Sequence, residues 1–464
     1  MRIRSLFACL LATTMHSSVH GLPTLNYNEG YQLYTTFYPT SILNQQAKEF
    51  LKTYEEPLIK ERVQFSASFY AEKATTARDL NKQSVFLGDV HGRLNMIGLT
   101  YGAIPIGATE PALLQTAGAQ TFKNAPLLGV PYSNPTYSDP TQQFGFFSAP
   151  LKYNKEGLRF QGAVRFLNDF VFTIQGGVAD LKQTTTGLID QTPNSVYSNV
   201  YPSNATLTPT QFALDQAAIE QYFMEPSEQI FQQLNVFVGD IQRTGPEDVS
   251  LLLEWRHNFD INEDADPRKW AHFIFTPFIQ LGSTLGVAQA KDPNKLFDLP
   301  LGNNKHTAIQ LSGGVGLDFA ESIEVTGEIG CAYFLSRTYT TRVPTHQLQS
   351  MLFPYATAIK ENPGNTWYFA LGMNAYHFLD NLTIYAQFMY VNHQQDSITL
   401  LKPDPAFIPT RLAQDTPFKT QLGNFGANYD ISPNFSLGLA WQWPLARRGA
   451  YKTNVLLVNV SLTY

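Results

Sequence analysis

Cysteine is nearly missing from this chain of 464 residues, which has only Cys9 and Cys331. Cys9 lies in an amino-terminal stretch that reads as a removable leader, so one thiol remains and an intramolecular disulfide is excluded. Charge is scarce too: 15% of residues carry it and the net balance is −6. That balance excludes the basic footprint of a nucleic-acid-binding protein. Past the leader there is also no run of the ~18 apolar residues that a membrane-spanning helix requires. A chain that crosses a membrane with strands needs no such run.

What the chain has is aromatic residues, at 13%, and 31 glycines. Rich in aromatics and poor in charge is the direction of a transmembrane barrel, although a large secreted β-sandwich or propeller would share the composition. The leader is an export signal peptide, residues 1–21. Met1-Arg-Ile-Arg supplies a positive start, Ser5 to Met15 an apolar stretch too short to span a membrane, and Val19 and Gly21 the small residues before a cut. Leu6-Phe-Ala-Cys9 is similar to a lipoprotein box, but the apolar stretch before it is too short to be inserted first. Loss of Arg2 and Arg4 with the leader leaves 30 basic against 38 acidic side chains, a mature balance of −8.

From Val63 the chain alternates strictly, with Val63, Phe65, Ala67, Phe69 and Ala71 on one face and Gln64, Ser66, Ser68, Tyr70 and Glu72 on the other. The same grammar returns at Leu158 to Phe166. It begins again near Phe170, Val249, Ala271, Thr307, Ile323, Trp367, Leu382, Thr420, Phe435 and Asn454. These segments predict an all-β antiparallel transmembrane β-barrel of about twelve strands over 63–464. Fourteen is the alternative, if Leu94 to Tyr101 and Phe144 to Tyr153 are strands as well. Short Asn-, Asp-, Ser- and Pro-rich links alternate with links of tens of residues, which places the short turns in the periplasm and the long loops outside. Trp367, Trp441 and Trp443 then belong to the outer rim and Trp255 and Trp270 to the inner rim, the pattern of an aromatic girdle.

Two stretches read as short helices. Ser41 to Arg62 lies in a periplasmic amino-terminal segment, 22–62, that could plug the barrel; Thr208 to Val236 lies in a long loop and could fold inward as a constriction.

The last strand puts Leu456, Val458, Val460, Leu462 and Tyr464 on one face. It resembles the terminal assembly signal of Gram-negative outer-membrane β-barrels, and the span from Val63 to Tyr464 is porin-like in the same architectural sense. The resemblance implies outer-membrane lipids and the barrel assembly machinery as partners, small solutes as cargo and, since porins often trimerise, an oligomer as an open possibility. A fourteen-strand count with an amino-terminal plug would be similar to outer-membrane fatty-acid transporters.

The inward register collects polar residues: Glu72, Arg159, Gln161 and Arg165 early in the chain, Glu254, Arg256 and Gln310 in its middle, then Asp318, Glu324, Glu328 and Gln387. These are the candidate pore-lining residues, and the expected function is passive diffusion of small solutes through a partly constricted polar lumen. Two alternatives remain. One is a barrel enzyme of lipase or protease type; the other is a sealed adhesive or structural barrel acting through its loops. For the enzyme, His257, His306, His377 and His393 show no serine or carboxylate at a catalytic spacing. Gly88-Asp-Val-His-Gly92 is similar to the first metal-binding block of metallophosphoesterases, but the second and third blocks that hold the metals are missing. No catalytic residue, metal or cofactor is expected.

Overall fold

The computed structural model describes residues 63–99, 102–112, 146–166, 169–191, 227–261, 273–319, 322–379, 381–432 and 434–463. The leader, the 22–62 segment with its expected helix, most of the 208–236 stretch, Trp270 and Tyr464 lie outside these residues. Fourteen hydrogen-bonded segments close into one antiparallel sheet. Three of them are successive runs of a single stave, so the barrel has twelve.

In chain order the staves are β1 (Val63–Ala74), β2 (Leu151–Phe166) and β3 (Phe170–Thr185), then β4 in the runs Ile241–Pro246, Val249–Arg256 and Phe259–Ile261. They continue with β5 (Phe273–Leu285), β6 (Ala308–Phe319), β7 (Ile323–Phe334), β8 (Thr366–Leu379) and β9 (Leu382–His393). β10 (Phe418–Ser432), β11 (Phe435–Arg448) and β12 (Asn454–Thr463) complete the set. Each pairs with its neighbours in sequence, and β12 returns to β1 with Val458 opposite Phe69. Closure leaves no sheet edge around the belt, where each stave is laddered to a neighbour on both sides.

The alternation in the sequence is what sorts the two faces. On β2, Leu158, Phe160, Val164 and Phe166 are exposed on the outside while Arg159, Gln161, Ala163 and Arg165 are buried within. On β12, Leu456, Val458, Val460 and Leu462 are exposed and Leu457, Asn459 and Ser461 buried. The outward apolar belt on β2 runs from Leu158 to Phe166, about 26 Å along the strand, or roughly 20 Å of height at the usual strand tilt. Lys152, Asn154 and Glu156 continue the outer face above it, at the end that carries the long connections.

The fourteen-strand alternative is corrected. Among the described residues of the 94–101 stretch the strand is Leu94–Asn95 alone, followed by a turn of helix, Met96–Leu99. In the second stretch, Phe146–Ser148 pairs with Leu94–Asn95 outside the barrel, and Tyr153 already belongs to β2. The alternation of long and short links is corrected at one place: β11 and β12 lie on the long-loop side, yet only 449–453 join them. The long connections form a cap, whose three-stranded sheet of Arg337–Val343, Tyr355–Asn362 and Ser397–Leu400 packs Val343 and Ile359 against Phe407 and Ala413. The one described part of the 208–236 stretch with helix is Ser227–Gln233, and it belongs to the cap: Arg342 of the cap sheet donates to Leu234 O just beyond it.

Candidate functional site

The barrel interior is the site, and a bulge in β4 organises it. In the first run of β4, Ile241 and Arg243 face in; in the second, Ser250, Leu252, Glu254 and Arg256 do. Odd positions give way to even ones, so an extra residue must intervene, and Glu247 and Asp248 are both buried at the change. Glu247 accepts hydrogen bonds from Lys155 Nζ at 2.8 Å, from Arg159 Nε at 2.7 Å and from the Tyr70 hydroxyl at 2.7 Å. Glu72, beside them, accepts from the Tyr153 hydroxyl at 3.0 Å and lies 3.8 Å from Arg159 Nη2. Two cations meet two carboxylates, which is what allows four charges to be buried in one place.

Asp248 holds a plug. Its carboxylate accepts from the Ala288 main-chain N–H at 2.9 Å and from that of Asn303, fastening both ends of the connection between β5 and β6, 286–307. Arg243 adds Ala290 O at 2.8 Å, Leu299 O at 3.1 Å and the Asp298 carboxylate at 2.8 Å; Lys155 adds Leu301 O at 3.2 Å. Leu299 and Leu301 are thereby seated in the mouth of the barrel among Tyr70, Tyr153, Leu181 and Ile241. Glycine is required at 302, because a Cβ there would stand 2.3 Å from Asp248 Oδ2. Burial raises the Asp298 carboxyl above its ordinary range despite Arg243, and likewise that of Asp89 despite its bonds to Ser148 and Ala149. An inward fold is thus made by 286–307; most of the 208–236 stretch, where the sequence places one, lies outside the described residues.

Deeper in the lumen, Glu254 takes Arg256 Nε at 3.0 Å and the Gln280 amide. Glu328 takes the Tyr368 hydroxyl, and Glu324 takes Asn374 and Tyr376, each at 3.4 Å. Asn424 donates to Gln387 at 2.8 Å and Gln310 to Thr284 at 3.1 Å. Gln161, Arg165 and Asp318 are buried on the same inner face. All eleven residues expected to line the lumen therefore point into it, and their exposure runs from 0% at Glu72 to 7% at Arg256 and Gln387. In this state they touch one another and their stave neighbours rather than open water. Glu254, Asp318, Glu324 and Glu328 outnumber Arg165 and Arg256, so the deeper lumen is acidic.

Sequence reasoning missed Glu247, Asp248 and Arg243. The parity change between Ile241 and Ser250 is the available signal, and alternation over one uninterrupted run does not contain it. Three of the histidines have side-chain partners that spacing along the sequence does not show. His257 sits on the outer face near the short turns, stacked on Trp255 and 3.0 Å from Asp169. His306 bridges Leu335 O and Glu361, each at 3.0 Å. His393 joins the Thr366 hydroxyl at 2.7 Å to Asp396 at 3.0 Å, a hydroxyl, imidazole and carboxylate in hydrolase order. All three residues are buried, and they tie the outer ends of β8 and β9 together. The Gly88 to Gly92 motif is likewise a local brace: Asp89 accepts from Ala149 N at 2.9 Å, and Gly92 takes a positive φ of 105° that a side chain would resist. Among the described residues no cluster of three or more His, Cys, Asp or Glu could hold a metal ion.

A closed antiparallel barrel with an apolar outer belt, a charged interior and long connections at one end defines the class: this is a β-barrel of the outer-membrane type. No family model matches the chain, and no curated protein sequence does. Among solved structures it is similar to an outer membrane channel from Pseudomonas putida F1, at 11% identity and a TM-score of 0.44, over 88% of this chain and 98% of that one. The translocator domain of the autotransporter NalP from Neisseria meningitidis matches at 7% and 0.34, over 91% and 95%. The Pseudomonas putida toluene transporter TodX matches at 11% and 0.30, over 87% and 89%.

Proposed function

We propose that the chain is an outer-membrane channel for small solutes that diffuse passively through its lumen, and that connection 286–307 shuts its mouth in the state seen here. One observation carries the reading: ionisable side chains face inward at every depth, from Glu72 and Lys155 near the mouth to Asp318 and Arg165 near the short turns. A barrel with only a structural role would fill its interior more stably with apolar side chains, because each buried charge must first be stripped of water. The plug is attached through side chains, mainly Asp248, Arg243 and Lys155, and by packing, so it can leave without breaking the wall. On this reading the outer belt faces lipid, Trp367 and Trp441 anchor the outer interface, residues 1–21 are a cleaved export signal, and the assembly machinery reads the β12 face. No catalytic step is assigned.

Planar-bilayer recording of the refolded protein tests this. Rare, brief, cation-preferring openings are expected, becoming frequent when the plug is loosened. Silence at every applied voltage, in the wild type and in plug variants alike, would reject the channel. It would favour the sealed barrel acting through its loops, the reading suggested by the close packing of the lumen.

A further inference from the structure

On the outside of the barrel, where β12, β1, β2, β3 and β4 stand side by side, the apolar belt is indented by a groove of about 510 Å³. The register makes the indentation. Phe65 stands opposite Gly162, which stands opposite Ile174 on its other side; one row farther from the short turns, Phe160 stands between Ala67 and Gly176. Each of these large outward side chains thus has a small neighbour, and the wall stays low between them. Neither glycine is required by the wall itself: a Cβ at 162 would meet Ile174 and Phe65 at 3.6 Å, and one at 176 would meet Val249 at 3.4 Å, ordinary contacts. At Gly157 and Gly177, which face inward on the same staves, a Cβ would stand 2.6 Å from a main-chain oxygen. The polar residues at the groove, Ser66, Gln161 and Gln175, turn their side chains inward and bury them.

The occupant follows from the groove's place. It is continuous with the belt, and the belt of an outer-membrane barrel is in contact with lipid. Between hydrocarbon surfaces apolar burial gives no drive; close van der Waals packing decides which neighbour stays, and small residues permit it. Phe65 and its partner Leu462 lie within two residues of the short-turn ends of β1 and β12, so the groove begins in the leaflet on that side. We propose that the groove seats one acyl chain of a phospholipid from that leaflet and retains it longer than the chains around it. The inference rests on the belt facing lipid and not on conduction, since a sealed barrel would have the same groove.

The test is photo-crosslinking of the full chain, refolded into phosphatidylethanolamine and phosphatidylglycerol bilayers that contain a small fraction of a phosphatidylethanolamine with a diazirine in its acyl chain. Mass spectrometry of peptides maps the adducts. The reference wall is β7 and β8, where Val325 and Met373 face each other on the outside at a matching distance from the short turns. Adducts on the outward residues of β1 to β3 should exceed those on the reference wall about fivefold. Gly162→Leu combined with Gly176→Leu should bring the two walls level. Gly327→Leu should leave the ratio unchanged, because it fills open space on β7, where the nearest atom to an added Cβ is 3.8 Å away. Labelling of the two walls within about twofold in the wild type would overturn the site, a comparison that needs no variant to fold. So would a wild-type ratio in the double variant, once heat-modifiable migration shows it folded. Labelling of neither wall would instead take the belt out of contact with lipid, removing the reading on which the inference rests.

Discussion

Replacing Asp248 by alanine should unlatch the plug. The carboxylate accepts the main-chain N–H groups of Ala288 and Asn303, which begin and nearly end the inward fold. Both donors are in a water-poor mouth, and a buried donor left without its acceptor costs about 1–3 kcal/mol, so the closed state loses roughly 2–6 kcal/mol. The barrel wall loses nothing comparable, because Asp248 sits at a bulge where the ladder is already interrupted. At ~1.4 kcal/mol per factor of ten, the ratio of open to closed channels should rise at least about thirtyfold. Leu299 and Leu301 still favour closure, by about 1.5–3 kcal/mol of burial each, so the variant should flicker rather than stay open. Single-channel recording gives the open probability directly. Gln242→Ala is the control, since Gln242 lies on the exposed face of the same stave and its side chain donates to the exposed Asp180. If Asp248→Ala folds, as heat-modifiable migration on a gel would show, and its open probability stays within twofold of wild type, the plug is not held as described.

The other expectations concern the lumen, the cap and the wall. Glu324→Lys combined with Glu328→Lys should move the reversal potential toward anion preference, because it inverts the sign of the deeper lumen; an unchanged potential would mean these residues lie off the path. Arg342→Ala should leave the barrel heat-modifiable but speed proteolysis of the cap by about tenfold or more, since several main-chain oxygens lose one shared donor. Burial raises the Asp298 carboxyl, so by that group alone the plug is most stable below the ordinary carboxylate pKa of about 4 and weakens as pH climbs through the raised value. Asp298→Asn should therefore flatten the rise in plug proteolysis between pH 4 and the neutral range. Cys331, exposed on the outer face of β7 between Ile329 and Tyr333, should react in bilayers with a membrane-permeant maleimide and resist a charged one; equal labelling by both would displace the belt.

The staves were legible wherever one face meets an apolar surround and the other a polar interior. β1 and β12 show this most plainly, because Phe65, Phe69, Val458 and Val460 alternate with Gln64, Ser68, Asn459 and Ser461. The sequence pattern weakens where those surroundings change. Alternation marks β2 only from Leu158 although the stave starts at Leu151, since Lys152, Asn154 and Glu156 rise above the belt and make the outer face polar too. Alternation marks β4 only from Val249, because the bulge reverses its parity and Gly245-Pro246 looks like a turn. The inward side of the charged residues followed from register alone. Their partners did not, because Arg159 and Glu247 are 88 positions apart and meet only across β3, over Gly177. The plug left no periodic trace at all, as its hold depends on Ala288 N, Asn303 N, Ala290 O and Leu299 O, groups that every residue carries.

The short link 449–453 changes what the seam between the chain's first and last staves can do. Gln64 to Lys73 face Thr463 to Asn454 pair by pair, and beyond them Ala450–Tyr451 lies against Thr76–Arg78, which in turn holds Ser84–Phe86. The joint is therefore sewn past its own end, by a hem that also gathers in the first long loop. A pull that peeled β12 from β1 would have to undo this hem first, from the side away from the short turns. During assembly the same hem can form only once the two ends of the ring are already side by side, so it acts as a clasp that closes last and secures the circle.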